Sequence, residues 1–406
     1  MESPLVIVGA GAAGLVAARF AAGRGRRVVV LEAAREAGRK ILVSGGGRCN
    51  VLPAREAPVR FVSDSPNRLV RRFLARWPLE EQRAFFEELL GGRLLEEADA
   101  GKLFPPSNRA RDVRDALRGA ALRAGASIRA ASPVRDAVLS REGGFDIRLE
   151  GETLRASSVV LATGGRSVLP AGADAAGFGW AEALGHTVRP TYPALVPLVG
   201  DAPAHHALAG VSLRAGVTAR AGDERADSEG GFLFTHRGWS GPAALDVSHV
   251  VSRAGRAARV TASFGDAAAW EGNLLSGARS GGSLLSFLRR SSIPDRLASL
   301  LLEVAGVADR PLSRLTREAR RSVVRALAEF PVPATGTEGF RTAEVTGGGV
   351  ALEEVDPGSG ESRLVPGLFF AGEILDAFGP IGGYNFQWAW ATGRTAGEAA
   401  ARRLIP

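Results

Sequence analysis

Few side chains in this sequence could act as nucleophile, redox group or acid–base catalyst. Cysteine occurs once, as Cys49, and tyrosine twice. Cys49 lies in a basic, glycine-rich run, Gly38-Arg39-Lys40-Ile41-Leu42-Val43-Ser44-Gly45-Gly46-Gly47-Arg48-Cys49-Asn50. A lone thiol without a CxxC partner excludes an internal disulfide and an all-cysteine metal centre; it is a redox thiol or a small residue packed beside a ligand. Tyr384 stands at the start of a C-terminal helical run, where its hydroxyl could donate a proton or line a pocket. His236, just before the helix start at Ser240-Gly241-Pro242, is the best acid–base candidate elsewhere, unless it only satisfies a turn. His186, after Leu184-Gly185, reads as a partly charged imidazole at a helix C-terminus. His205-His206 has no carboxylate or cysteine at ligand spacing, so no metal site is expected.

The elements that would position such groups are clearer. Gly9-Ala10-Gly11-Ala12-Ala13-Gly14 joins an apolar strand, Leu5–Val8, to a helix, and a second strand, Arg27–Leu31, ends in Glu32. Gly9 permits the turn, Gly11 lets a backbone approach a pyrophosphate, and Gly14 lets the helix pack on the strand. The helix N-terminus faces phosphate charge and Glu32 would accept from a ribose diol. A nicotinamide domain would continue into another βαβ unit after Glu32; here the glycine-rich loop of residues 38–50 follows, its amides suited to an anion or a flat ring edge. Two further strand-like runs, Ser157–Leu161 and Gly367–Ala371, end in Ala162-Thr163-Gly164-Gly165 and Gly372-Glu373. Gly382-Gly383-Tyr384-Asn385 then opens the last helix. Three glycine-rich strand ends can converge on one extended ligand at the carboxyl edge of a parallel sheet. That pattern belongs to two-dinucleotide-binding-domain flavoproteins, and FAD is the expected ligand. No second strand–GxGxxG–helix unit exists for NAD(P)H, because Gly281-Gly282-Ser283 lacks both the spacing and a preceding strand. NAD(P)H remains a candidate transient electron donor at the flavin face, with oxygen or another acceptor as the alternative partner.

The 406 residues carry 51 Lys+Arg against 43 Asp+Glu, a formal charge of +8, and 45% of them are hydrophobic. That is the composition of an ordinary globular protein, long enough for two domains. The charge suggests a nucleic-acid or anionic-membrane partner. Yet Lys40 and Lys102 are the only lysines, the arginines are scattered beside acids, and the densest stretch, Arg314 to Arg325, reads as one solvated helix face. Arginine-rich genome composition accounts for this, so nucleic acid is not the expected partner. Residues 4–22 are apolar, but they lack a basic leader and Arg19 interrupts them, so neither a signal peptide nor a membrane anchor is expected. A single cysteine fits a reducing cytoplasm.

The motifs GAGAAG, GRKILVSGGGRCN, VVLATGG, PALVPL, FTHRGWSGPAAL, VTGGGV and PGLFFAGEILDAFGPIGGYNFQWAWATG resemble the bacterial NAD(P)/FAD-dependent oxidoreductases, a family whose members are described as aminoacetone oxidases or bile-acid-reducing flavoproteins. The resemblance runs from near residue 5 to near residue 400. It implies an α/β fold: a glutathione-reductase-like Rossmann FAD-binding domain with an inserted β-barrel plus helical domain. It places Gly9, Gly11, Ala13 and Gly14 at the phosphates and Glu32 with Ala33 at the adenosine ribose. Lys40, Ser44, Gly46, Arg48, Cys49 and Asn50 would pass the pyrophosphate and reach the flavin. Val134 would hold adenine through its backbone, with Ala162, Thr163 and Gly164 nearby. Gly372 and Glu373 would face the ribitol chain. Gly383, Tyr384 and Asn385 would put a helix N-terminus at the flavin pyrimidine edge. One departure lies at Asp356–Arg363, where relatives tend to carry Thr-Met-Glu-Ser-Lys; if that stretch touches substrate, inherited specificity changes.

The FAD domain should therefore comprise residues 1–190 and 341–406, with 191–340 inserted. Leu69–Leu90 and Ala110–Ala124 read as helices, and Ser132–Val160 as a β-meander. Residues 195–265 look β-rich, and 283–330 helical with breaks at Pro294 and Pro311. The leading expectation is an FAD-dependent oxidoreductase acting on a small organic substrate at the flavin face, between the FAD domain and the insert. An RNA-modifying flavoprotein and a flavin-binding protein without turnover are the alternatives. The sequence leaves reductase or oxidase, and the oligomeric state, open.

Overall fold

The computed structural model describes residues 3–24, 26–57, 60–97, 101–167 and 175–403, without the side chains of 279–280. The chain divides into two compact units, residues 1–191 with 345–406, and residues 192–344.

The first unit is built on a five-stranded parallel sheet. Its order is Leu368–Phe370, Ser158–Leu161, Leu5–Val8, Val28–Leu31 and Ser127–Arg129. The three central strands read SVVL, LVIV and VVVL and are buried along their whole length, the pattern of parallel strands covered on both faces. The helix Ala12–Ala22 packs against the last helix, Tyr384–Arg402, through small residues. A Cβ at Gly393 would stand 2.5 Å from the Ala13 carbonyl oxygen, and one at Gly397 2.4 Å from that of Ala17. The meander forms as three antiparallel strands, Asp136–Leu139, Phe145–Arg148 and Thr153–Ala156, leading into Ser158–Leu161. The run expected as one helix over Leu69–Leu90 is two, Asn67–Leu74 and Leu79–Leu90. Pro78 separates them, because its ring and missing N–H cannot continue a helix but suit the position just before a new one.

The second unit has a seven-stranded antiparallel sheet, whose longest pair is the hairpin Ser212–Ala221 with Glu224–Phe234. Helices follow at Ala267–Ser280, Leu284–Arg290, Asp295–Ala305 and Arg317–Ala328. Three of them start on a side-chain cap, where Asp266, Ser283 and Thr316 accept from the amides of Ala269, Ser286 and Ala319. Pro294 and Pro311 each stand immediately before a helical turn. Gly281 to Ser283 lies between two helices, not after a strand.

Candidate FAD site

The parallel register brings three of the predicted segments to one sheet edge. Val8 is level with Leu31 and Leu161, and Leu161 with Phe370. The ladder continues beyond the strands: Gly9 donates to Leu31 O at 2.8 Å, Ala162 to Val8 O at 2.9 Å and Ala371 to Leu161 O at 3.1 Å. The turns after these strands are therefore neighbours. At Gly9 and Gly14 the fold leaves no room, since a Cβ at Gly14 would stand 1.9 Å from the Gly9 carbonyl oxygen and one at Gly9 2.4 Å from that of Ala162. Gly11, Gly46 and Gly164 are the opposite case: among the described residues nothing lies within 4 Å of where their Cβ atoms would be. Gly11 also precedes an 11-residue helix whose first turn has no side-chain cap. Uncapped amides at a helix N-terminus suit an anion. Ala13 touches the next turn, for a Cβ at Gly372 would meet the Ala13 Cβ at 2.8 Å.

Glu32 accepts from Ala10 N at 2.8 Å and Ala34 N at 2.9 Å, which fixes its carboxylate beside the phosphate turn; Ala33 between them is exposed. Ala131 and Ser132 donate to Ala34 O and Glu32 O, and the partly buried Val134 follows on this path. Thr163 packs against the helix Ala176–Ala183, and its buried hydroxyl oxygen has no hydrogen-bond partner among the described residues.

The loop of residues 38–50 forms a short helix, Arg39–Val43, and a 3-10 turn, Ser44–Gly47. Gly38 N donates to Ala10 O, tying the loop to the phosphate turn. Lys40 reaches Glu373 at 2.7 Å and Ser167 at 2.8 Å. Glu373 also accepts from Thr346 N at 2.9 Å and Ser167 Oγ at 3.0 Å. Glu373 is thus a hub that joins four distant segments, and Lys40 is spent on it. Arg48 pairs with Glu97 at 3.1 Å and lies over the Phe104 ring at 4.1 Å. Asn50 is buried, donating to Leu52 O and accepting from Gly383 N. Asn385 closes its own loop by exchanging two 2.9 Å hydrogen bonds with Gly379. Both asparagines therefore shape the start of the last helix through the backbone.

The catalytic candidates separate. Cys49 is fully buried, and desolvation pushes its thiol up to about 12 against a weaker opposing hydrogen bond with Ser44. A thiolate role is disfavoured, and the packed-residue reading fits. Tyr384 is half-buried at the head of the last helix, edge-on to Phe61 at 6.2 Å between centroids. His236 is exposed in the turn between the strands Glu224–Phe234 and Gly238–Ser240 of the second unit. His186 does not act on a helix dipole: it is buried, with Nε2 2.8 Å from Ser362 Oγ and Nδ1 3.2 Å from Glu354 Oε2. Burial holds it below the usual imidazole range despite Glu354. Ser362 accepts from Leu364 N and Val365 N and is itself buried, so this Ser–His–Glu arrangement is a brace and not a nucleophile. Asp356–Arg363 closes on itself through Ser359, Gly360 and Arg363.

Ser167, Thr346 and Asp376 are buried residues of this region that the motifs do not reveal. Asp376 accepts from Ser63, Asp64 and Ser65, and burial beside Asp64 raises its carboxyl. Trp388 Nε1 donates to Gly372 O and Thr392 Oγ1 accepts from Gly372 N, so the last helix holds the third strand end. A polar partner two hundred residues away carries no local sequence signal. Among the described residues no group of three or more His, Cys, Asp or Glu is placed to hold a metal, and no helix is long and apolar enough to cross a membrane.

An open glycine cradle, an uncapped helix N-terminus and a fixed carboxylate at the second strand end fit a dinucleotide. Fold and site together define an FAD-dependent oxidoreductase. The chain belongs to the family described as HI0933-like protein Rossmann domain, whose model matches residues 3–399. It is 35% identical over 95% of both chains to a ribosomal RNA dihydrouridine synthase of Escherichia coli. It is 33% identical over 98% of both chains to a 3-dehydro-bile acid delta(4,6)-reductase of Clostridium scindens. Its fold is similar to that of a 3-ketosteroid-delta4-(5alpha)-dehydrogenase from Rhodococcus jostii, with a TM-score of 0.50, 17% identity, and 99% of this chain and 97% of that one covered.

Proposed function

We propose that the chain reduces the C5–C6 double bond of a uridine in ribosomal RNA, with FAD at the glycine-lined sheet edge and NAD(P)H as the transient hydride donor. The observation that carries this reading is the end-to-end match to the Escherichia coli enzyme at 35% identity. Dihydrouridine differs from uridine by one hydride and one proton, added across a double bond conjugated to a carbonyl. The bound flavin supplies the hydride relay. The chain's own residues supply position: Gly11 and the first helix hold the pyrophosphate, Glu32 the ribose, and Ala162 to Gly164 and Gly46 line the cradle. Glu373 keeps Lys40, Ser167 and Thr346 in place around it. The Tyr384 hydroxyl is the proposed proton donor, so Tyr384→Phe should lower turnover with FAD retained.

The match to the bile-acid reductase favours a second reading, reduction of a carbonyl-conjugated double bond in a small steroid. Both readings use the same chemistry and differ in the substrate. Incubation of FAD-loaded protein with NADPH and, in parallel, an unmodified ribosomal RNA transcript and a 3-oxo-4,6-diene steroid separates them. Nucleoside mass spectrometry should show dihydrouridine in the transcript. Reduction of the steroid alone would transfer the conclusion to the small-molecule reading.

A further inference from the structure

The helix Arg317–Ala328 carries a feature that the FAD site does not use. Arg317, Arg321 and Arg325 recur every four residues, about 6 Å apart along one face, and all three are exposed. The exposed Arg310 and Arg314 precede them. The rest of the helix surface is fixed in the core of the second unit by Val323, Val324, Ala326 and Leu327, so the helix cannot rotate to turn the arginines inward. Arg320, off this face, is neutralised by Glu271 at 2.7 Å. Among the described residues, Arg314, Arg317, Arg321 and Arg325 enter no ion pair, and the nearby Glu318 and Glu329 enter none either.

Elsewhere in the same unit some exposed arginines answer carboxylates, as in Arg214–Glu229, Arg225–Asp227 and Arg253–Glu224, while among the described residues Arg220, Arg256 and Arg259 enter no ion pair; what sets the helix apart is the regular spacing along one face. Arginine-rich genome composition replaces lysine by arginine everywhere. It does not by itself set three arginines four apart on one exposed face, a pattern in which like charges repel along the helix. An external polyanion relieves that repulsion.

We propose that this face docks the RNA backbone, its guanidinium forks taking phosphates of one strand. Forked, charge-assisted hydrogen bonds suit arginine and phosphate. Such contacts position the nucleic acid without reading its sequence. The choice of RNA as the polyanion rests on the uridine-reductase reading above.

The test uses full-length, FAD-loaded protein and an unmodified ribosomal RNA transcript, with affinity measured from 50 to 200 mM salt. The variant is Arg317→Gln/Arg321→Gln/Arg325→Gln. Losing three phosphate contacts should reduce the slope of log K against log salt by roughly two and weaken binding at 100 mM at least about tenfold. Flavin absorbance and bleaching by NADPH should not change. An Arg214→Gln/Arg225→Gln/Arg253→Gln control removes the same charge from paired positions and should keep most of the wild-type slope. An unchanged slope in the first variant, or an equal loss in the control, overturns the proposal. So does stronger retention on anionic lipid vesicles that the first variant abolishes while RNA binding stays intact. Wild-type dihydrouridine formation with an unchanged slope would sink the docking face alone. A reduced slope without any dihydrouridine would leave the face standing and sink the substrate reading.

Discussion

Glu373→Ala tests whether the carboxylate hub organises the FAD cradle. In the native chain it accepts from Thr346 N, Ser167 Oγ and Lys40 Nζ at 2.9, 3.0 and 2.7 Å. Thr346 is almost fully buried, so removing the acceptor takes a partner from its amide in a place that bulk water reaches poorly. A hydrogen bond to a charged group contributes about 1.5–3 kcal/mol, and a stranded buried donor costs about 1–3 kcal/mol. The Lys40–Glu373 side chains are 32% and 20% exposed, so their ion pair adds no more than about 1 kcal/mol. Because these contributions overlap, the expected loss is about 3 kcal/mol, roughly a hundredfold in an equilibrium constant. Urea unfolding of the apoprotein followed by tryptophan fluorescence measures the stability share, and flavin-fluorescence titration measures the effect on FAD affinity. Glu373→Gln keeps one acceptor oxygen for Thr346 and should lose about half as much. An Ala variant within about 0.5 kcal/mol of wild type, with FAD affinity intact, would refute the hub.

Three other substitutions or conditions separate site from scaffold. Gly11→Val should leave the unfolding midpoint of the apoprotein unchanged while sharply weakening FAD binding, because its side chain enters open space; Gly14→Ala should destabilise the fold by about 1–3 kcal/mol or more, since its Cβ meets backbone. Cys49, with its thiol near 12, should resist alkylation at pH 8 until the chain is unfolded, and Cys49→Ala should retain turnover. Burial holds His205 and His249 at about 4, below the ordinary 6.5. The folded chain then binds fewer protons than the unfolded one. Stability should be complete above pH 6.5 and fall as pH drops toward 4, by roughly 3 kcal/mol for each histidine. Thermal unfolding at pH 7 and pH 5 checks this. His205→Phe should blunt the acid loss, because His205 already packs among Phe234, Trp239 and Phe330.

The parts of the fold that were legible are those with a local signal. Leu5–Val8 and Ser158–Leu161 are apolar runs ending in glycine turns, and parallel pairing requires their ends to be neighbours. The role of Glu373 was not legible, because its partners Lys40, Ser167 and Thr346 come from three other segments and show no common spacing. Asn50 and Asn385 stand in recognisable motifs, yet their amides hold backbone rather than pointing to an evident ligand. The four-residue spacing of Arg317, Arg321 and Arg325 is visible in the sequence. Their lack of carboxylate partners appears only once neighbouring helices are in place. The proposed RNA substrate was not legible in the sequence, where arginine-rich composition discounted it; that proposal rests on the end-to-end match to the Escherichia coli enzyme.

The central claim, a flavin that passes hydride from NAD(P)H to a uridine, is tested most directly by anaerobic stopped flow. The FAD-loaded protein is first mixed with NADPH and then with an unmodified ribosomal RNA transcript. The account predicts bleaching of the flavin by NADPH, its reoxidation by the transcript, and one dihydrouridine formed for each flavin reoxidised. A flavin that NADPH does not bleach, or that only oxygen reoxidises while the transcript stays unchanged, would contradict it.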